Sequence, residues 1–262
     1  MSVLKRNNVK VIGSGPTTIM FAHGFGCDQN MWRFVTPAFS DNYRIALFDL
    51  VGAGGSDWSA FSFEKYATLD GYADDVVEIA QELELKDAIF VGHSVSAMIG
   101  ILAANKSPEL FKKLVLVGPS PKYIDEGSYT GGFSRPQIEE LLESLDKNYL
   151  GWSRAMAPVI MGNGDRAELG EELANSFCKT DPEIAKAFAK TTFLSDTRED
   201  LKHCTVPSLI LQCSDDVIAP LAVGEYVHSQ IPNSELVVMK ATGHCPNLSA
   251  PEETIASIKA FL

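Results

Sequence analysis

The chain has 262 residues, 45% hydrophobic and 21% charged, the composition of a globular protein near the upper size that one core serves. Its 22 basic and 34 acidic residues sum to −12, which argues against nucleic acid and anionic membrane surfaces as partners. No apolar run reaches the ~18 residues of a bilayer span, and "MSVLKRNNVK" lacks the apolar stretch of a secretory signal.

The five cysteines, Cys27, Cys178, Cys204, Cys213 and Cys245, are scattered and include no C-x-x-C. That spacing suits neither a disulfide scaffold nor a zinc site, so a cytoplasmic chain with reduced thiols and no metal is expected.

In chain order, "VKVIGSG" and "TTIMFAHG" read as a strand pair joined at Gly15–Pro16. "YRIALFDL", "AIFVGHS", "KLVLVGP", "PSLILQCS" and "ELVVMKA" follow as short runs that are apolar at nearly every position. Such runs suit strands buried on both faces of a mostly parallel sheet. Between them, "TLDGYADDVVEIAQELEL" places Tyr72, Val76, Ile79 and Leu83 at helical spacing with acids opposite. "SAMIGILAANKSPEL" and the final "PEETIASIKAFL" are also helix-like. This alternation predicts a doubly wound α/β sheet.

Between about Pro121 and Asp200 the alternation stops, and helix follows helix. Ser134 before Pro136 and Asp181 before Pro182 are N-cap signals within it. The expected organisation is a core of residues 1–120 and 201–262 with a helical cap, 121–200, inserted over one end of the sheet.

"VGHSVSAMIG" nearly spells G-x-S-x-G, with Ser96 in place of the second glycine. Ser94 follows a β-branched run and precedes a small-residue helix, the setting of a nucleophile elbow. A serine hydroxyl needs a base to become nucleophilic. Of the five histidines, His244 lies in a loop after the last strand. His228 sits on a solvated helix face, His203 has no partner in view, and His23 and His93 flank glycines in turns and read as loop stabilisers. "CSDDVIAP" offers Asp215 and Asp216 at a strand end. Asp216, four residues before Pro220, is preferred as the carboxylate that fixes the imidazole tautomer, with Asp215 the fallback. Ser94, Asp216, His244 is the chain order of α/β-hydrolases. Donors for a developing oxyanion are expected from the backbone N–H of Val95 and, through "FAHGFGCDQ", of Phe25.

"GSGPTT" lacks the final glycine of a dinucleotide fingerprint and leads into a strand, so no nucleotide cofactor is expected. "DLVGAGGSD" reads as a flexible turn that shapes the site.

Beyond single residues, "HGFGCDQNMW", "GHSVSAM", "LVGPSPKY", "KNYLGW", "FLSDTREDL" and "GHCPNLS" span nearly the whole chain. In these pieces the chain resembles the RsbQ-like α/β-hydrolases, bacterial stress-response regulators related to the plant strigolactone and karrikin receptors. The serine that departs from the general elbow motif is what that family carries.

The resemblance implies a triad of Ser94, Asp216 and His244, oxyanion donors at Phe25 and Val95, and a four-helix cap enclosing a small hydrophobic pocket. It also implies a signalling role in a sigma-B type general stress pathway, with an RsbP-like PAS-domain serine phosphatase as partner. Of Tyr123, Phe133, Trp152, Met156, Phe177, Phe188 and Phe193 in the insertion, most are expected to pack helices, and Phe133 and Phe193 are assigned to the pocket wall.

The function expected is hydrolysis of a small hydrophobic ester or lactone. A ligand receptor with slow or dispensable hydrolysis and a housekeeping esterase are the alternatives.

Overall fold

The computed structural model describes residues 2–262. Among them seven strands, β1 (Lys10–Ile12), β2 (Thr18–Ala22), β3 (Arg44–Leu47), β4 (Ala88–His93), β5 (Phe111–Val117), β6 (Ser208–Asp215) and β7 (Ser234–Thr242), form one sheet. Its order is β1-β3-β2-β4-β5-β6-β7, with β1 antiparallel and the remaining pairs parallel. The sheet is therefore the mostly parallel α/β sheet that the alternation predicted.

Burial explains the strand patterns. Every residue of β2 and β4 is buried, because the pleat sends alternate side chains into two separate cores. Met20, Phe90 and Leu114 face one core, while Phe21, Val91 and Val115 face the other. Edge strand β7 is largely half-buried or exposed, and all three residues of β1 are exposed.

The first two strands do not pair as the sequence suggested. β1 lies beside β3, with Lys10 opposite Leu47, and β3 separates it from β2. Residues 13–17 pack against the turn entering β3 instead of closing a hairpin. A Cβ on Gly13, whose φ is +73°, would lie 2.3 Å from the Tyr43 carbonyl oxygen.

Eleven α-helices among the described residues complete the order. A short α1 (Val3–Arg6) precedes β1, α2 (Leu69–Glu82) precedes β4, and α3 (Val95–Lys106) joins β4 to β5. Helix α2 buries Leu69, Tyr72, Val76 and Ile79 on one face, whereas α3 is buried from Val95 to Ala104. That explains why α3 is apolar all round.

Between β5 and β6 lie α4 (Arg135–Lys147), α5 (Tyr149–Met161), α6 (Ala167–Phe177), α7 (Pro182–Phe193) and the short α8 (Arg198–Leu201). Helix α9 (Leu221–Gln230) joins β6 to β7, and α10 (Pro246–Ser249) and α11 (Pro251–Phe261) close the chain. Ser134 caps α4 in a reciprocal capping box with Gln137, and the Asp181 carboxylate accepts from the Glu183 and Ile184 amides at the start of α7. Among the described residues no helix is long and apolar enough to cross a membrane.

Candidate active site

Ser94 stands between the end of β4 and the start of α3 with φ 56° and ψ −124°. A non-glycine residue in that region costs about 1–3 kcal/mol and persists only where its surroundings impose it. Three contacts impose it here. The Ser94 N–H donates to the Val117 carbonyl at 2.7 Å. A Cβ on Gly92 would lie 2.4 Å from the Ser96 carbonyl oxygen, so the strand-to-helix reversal needs glycine two residues before Ser94. Two residues after it, the buried Ser96 hydroxyl donates to the His23 carbonyl at 2.5 Å. The serine that replaces the motif's second glycine thus fastens the turn to the loop carrying Phe25.

Ser94 Oγ lies 2.7 Å from His244 Nε2, and His244 Nδ1 lies 2.7 Å from Asp216 Oδ2. The other carboxylate oxygen accepts from the Ile218 and Ala219 amides at 2.8 and 3.1 Å. With Asp216 accepting at Nδ1, the imidazole carries its proton there and leaves Nε2 free to accept from the Ser94 hydroxyl. Burial pushes the Asp216 carboxyl up, but His244 and the two amides outweigh it and hold it below its ordinary value. All three residues are buried, whereas Asp215 is exposed and only its carbonyl takes part, accepting from Gly243.

The loop carrying His244 is fixed at both ends. Its N–H donates to the Ile160 carbonyl of α5 at 2.9 Å, and its carbonyl accepts from His93 Nε2 at 2.7 Å. Burial, and then the neighbouring His244, lower the His93 pKa to about 3, so this ring is neutral.

His23, also buried, donates from Nδ1 to the Gly24 carbonyl and accepts the Leu50 amide at Nε2. That places the next amide, Phe25, beside the turn: a Cβ on Gly24 would lie 3.3 Å from the Ser94 Cβ. Among the described residues the Phe25 and Val95 amides have no hydrogen-bond partner. Two unpaired donors flanking a serine–imidazole pair can receive a developing oxyanion.

Over Ser94 lies a small cavity with Tyr123, Phe177, Phe193 and Ile218 in its wall. The insertion forms most of the roof. A larger groove runs between α2 and α7, lined by Phe63, Asp70 and Leu194 among others, but none of its described lining residues is a histidine that could serve a hydroxyl as base. The chemistry therefore points to the smaller cavity.

Phe193 lines this cavity, while Phe133 does not. Phe133 immediately precedes the Ser134 cap, and its backbone is engaged in pairing, donating to the Tyr123 carbonyl and accepting from Asp125. Its side chain packs on the apolar core.

A model of the alpha/beta hydrolase family matches residues 19–257. The chain belongs to the alpha/beta hydrolase family. This hydrolase is 40% identical to a Karrikin insensitive 2 receptor of Petunia hybrida over 97% of its own length and 94% of the relative's. It is 39% identical to a strigolactone esterase of Arabidopsis thaliana, covering 100% of this chain and 98% of that one. Among solved structures it is similar to a hydrolase from Oleispira antarctica, with a TM-score of 0.96 and 42% identity over 99% of this chain and 95% of that one.

Sequence reading missed three groups around Ser94. Tyr123 is buried, and burial raises its phenol well above its ordinary value even though the nearby Ser94 side chain opposes the rise. It therefore stays protonated. Cys27 and Cys245 also line the cavity, and burial pushes the Cys27 thiol up to about 12 and Cys245 well above its usual range. Both remain thiols and do not compete with Ser94 as nucleophiles. These residues come from separate loops, so no local pattern marks them.

Proposed function

We propose that this protein is a serine hydrolase acting on a small, uncharged, hydrophobic ester or lactone. The observation that carries the reading is the buried chain Ser94–His244–Asp216, with 2.7 Å at each link, beneath an apolar cavity.

His244 Nε2 takes the Ser94 proton as Oγ attacks the substrate carbonyl, and the Phe25 and Val95 amides hold the resulting oxyanion. Collapse breaks the ester C–O bond, and His244 returns the proton to the departing oxygen; in a lactone that new hydroxyl stays tethered to the acyl group. His244 then takes a proton from water, the hydroxide attacks the acyl–Ser94 carbonyl, and acid is released with Ser94 reprotonated. Asp216 stays ionised throughout and stabilises the imidazolium.

Intact mass after incubation with butenolide and short-chain acyl esters tests this. A Ser94-dependent acyl adduct or product is expected, and Ser94→Ala should lower kcat by about 10⁴ or more. Equal turnover by Ser94→Ala would overturn the assignment.

A second reading is favoured by a relative named as a receptor at 40% identity. In it, ligand capture under the insertion is the output and turnover is slow. The finer role, regulation of a sigma-B type stress pathway through a PAS-domain serine phosphatase, rests on the RsbQ-like motif "GHSVSAM". Ligand-dependent binding of purified phosphatase to wild type and Ser94→Ala separates the two. Binding by both proteins favours the receptor, and binding only after turnover favours an enzymatically generated signal.

A further inference from the structure

The sheet order sets the loops of the candidate site in a row. Phe25 follows β2, Ser94 follows β4, Tyr123 follows β5, Asp216 follows β6 and His244 follows β7, and these strands are neighbours in that order. Phe25 and Tyr123 therefore flank Ser94 from opposite sides, with Tyr123 on the side of the imidazole. The start of the loop after β5 shows the same placement: a Cβ on Gly118 would lie 3.3 Å from His244 Cε1 and 3.8 Å from Asp216 Oδ2.

The backbone that carries Tyr123 is held carbonyl by carbonyl. Pro121 accepts from the Thr197 amide at 2.8 Å and from its hydroxyl at 3.2 Å. Lys122 accepts from the Tyr129 hydroxyl at 2.6 Å, and Tyr123 itself accepts from the Phe133 amide at 3.1 Å. The buried ring stands edge-on to Phe193, with centroids 5.0 Å apart. The phenol is no part of this scaffold. Tyr66, Tyr129 and Tyr149 donate theirs to Asp75 and to the Lys122 and Phe177 carbonyls, whereas among the described residues Tyr123 donates to no carbonyl or carboxylate. Instead it lies near the Ser94 side chain, in the cavity wall.

We propose that the Tyr123 phenol donates a hydrogen bond to the departing oxygen of the ester or lactone. This rests on the hydrolase reading and deepens it. With the carbonyl oxygen turned toward the Phe25 and Val95 amides, the departing oxygen faces His244 Nε2, on the side where Tyr123 stands. The acyl C–O bond breaks and its electron pair goes to that oxygen. His244 supplies the proton, while the phenol, kept protonated by burial, retains its own. A donor placed there stabilises charge that appears only as the bond breaks. Its effect is largest where the departing oxygen is most basic. The substrate class it favours is an ester of an aliphatic alcohol, or a lactone whose ring oxygen becomes one, over an activated aryl ester.

The test is the ratio of kcat/KM for ethyl acetate over trifluoroethyl acetate, esters of similar size whose departing oxygens differ in basicity. Tyr123→Phe keeps the ring against Phe193 and removes only the phenol oxygen. The ratio should fall by about three- to tenfold, as expected for losing a hydrogen bond to an oxygen that gains charge. Tyr123→fluorotyrosine puts a more acidic donor in the same place and should raise the ratio, which keeps the test open if Tyr123→Phe does not fold.

Equal losses for the two esters would make the phenol a support for Ser94 and overturn the proposal. Two unchanged rates would overturn it as well. Either result, with turnover still dependent on Ser94, leaves the hydrolase reading standing. If no ester shows Ser94-dependent turnover, the hydrolase reading fails and the role assigned to Tyr123 falls with it.

Discussion

Ser96 sits where the general elbow motif has glycine, and its hydroxyl explains what the substitution achieves. A glycine would leave the buried His23 carbonyl without its 2.5 Å donor. His23 is two residues before Phe25, so this one bond links the helix that follows Ser94 to the loop that carries the Phe25 amide. Ser96→Ala isolates the hydrogen bond while keeping helix propensity. Leaving a buried acceptor unpaired costs about 1–3 kcal/mol, so urea unfolding should show a loss of that size. Because the 23–25 loop loses an anchor near the reacting carbonyl, kcat should fall more than KM rises. Unaltered stability together with unaltered kcat would show that the bond does neither job.

The juxtaposition of Ser94, His244 and Asp216 was legible at this scale, since each follows the end of a strand and the three come in the order of the α/β-hydrolase motif. His93 does steady a loop, as read, but the partners of Ser96 and His93 were not legible, because they lie 73 and 151 residues away in sequence, and only the tertiary fold brings Tyr123 to the cavity.

At the scale of elements, three helices of the insertion are tied to the sheet-side loops by hydrogen bonds. Helix α5 accepts the His244 amide at the Ile160 carbonyl, α6 donates from the Ser176 hydroxyl to the Gly26 carbonyl, and α7 donates from Thr191 to the Tyr66 carbonyl. Helix α7 also walls the cavity over Ser94, through Thr192 and Phe193.

The start of α7 is held by the Asp181 carboxylate, at 2.9 Å from the Glu183 amide and 3.2 Å from Ile184. Asp181→Ala should cost about 1 kcal/mol and speed hydrogen exchange first at the Glu183 and Ile184 amides, with Asp181→Asn restoring most of both. Equal protection in Asp181→Ala would mean that packing, not the cap, fixes this turn.

Both cap signals were readable in sequence because capping is local, confined to residues two or three apart. The β1–β3 pairing was not, because it is decided by packing of residues 13–17 against residues 40–43, which no local pattern records. Phe133 was misassigned for a similar reason: its neighbour Ser134 announced the helix start, but the backbone pairing with Tyr123 and Asp125 is a tertiary contact.

For the whole molecule, the stability–pH profile turns on one buried neutral ring. His93 faces His244, His23 and Asp216, and burial lowers its pKa from 6.5 to about 3. In the unfolded chain the same imidazole takes a proton near pH 6.5, so between about pH 6.5 and 3 the unfolded state binds more protons than the folded one. A depressed histidine pKa therefore contributes stability that is full above pH 6.5 and is lost as pH falls toward 3, by at most about 1.4 kcal/mol per pH unit.

The carboxylates act lower. Asp216 lies below its ordinary value, so its contribution is lost only as pH falls beneath the usual carboxylate range. The buried Asp75 is raised by desolvation, which has the opposite sign and eases as the acid protonates. Relaxation of the net charge of −12 also begins mainly once carboxylates protonate. From pH 7 to 5 the His93 effect should therefore dominate, and urea unfolding at pH 7, 6 and 5 should show stability falling with a slope approaching that limit. Gln places an N–H near the position of His93 Nε2 but does not titrate, so His93→Gln should flatten the slope across this window while keeping a donor to the His244 carbonyl. The same slope in His93→Gln would assign the acid sensitivity to other groups.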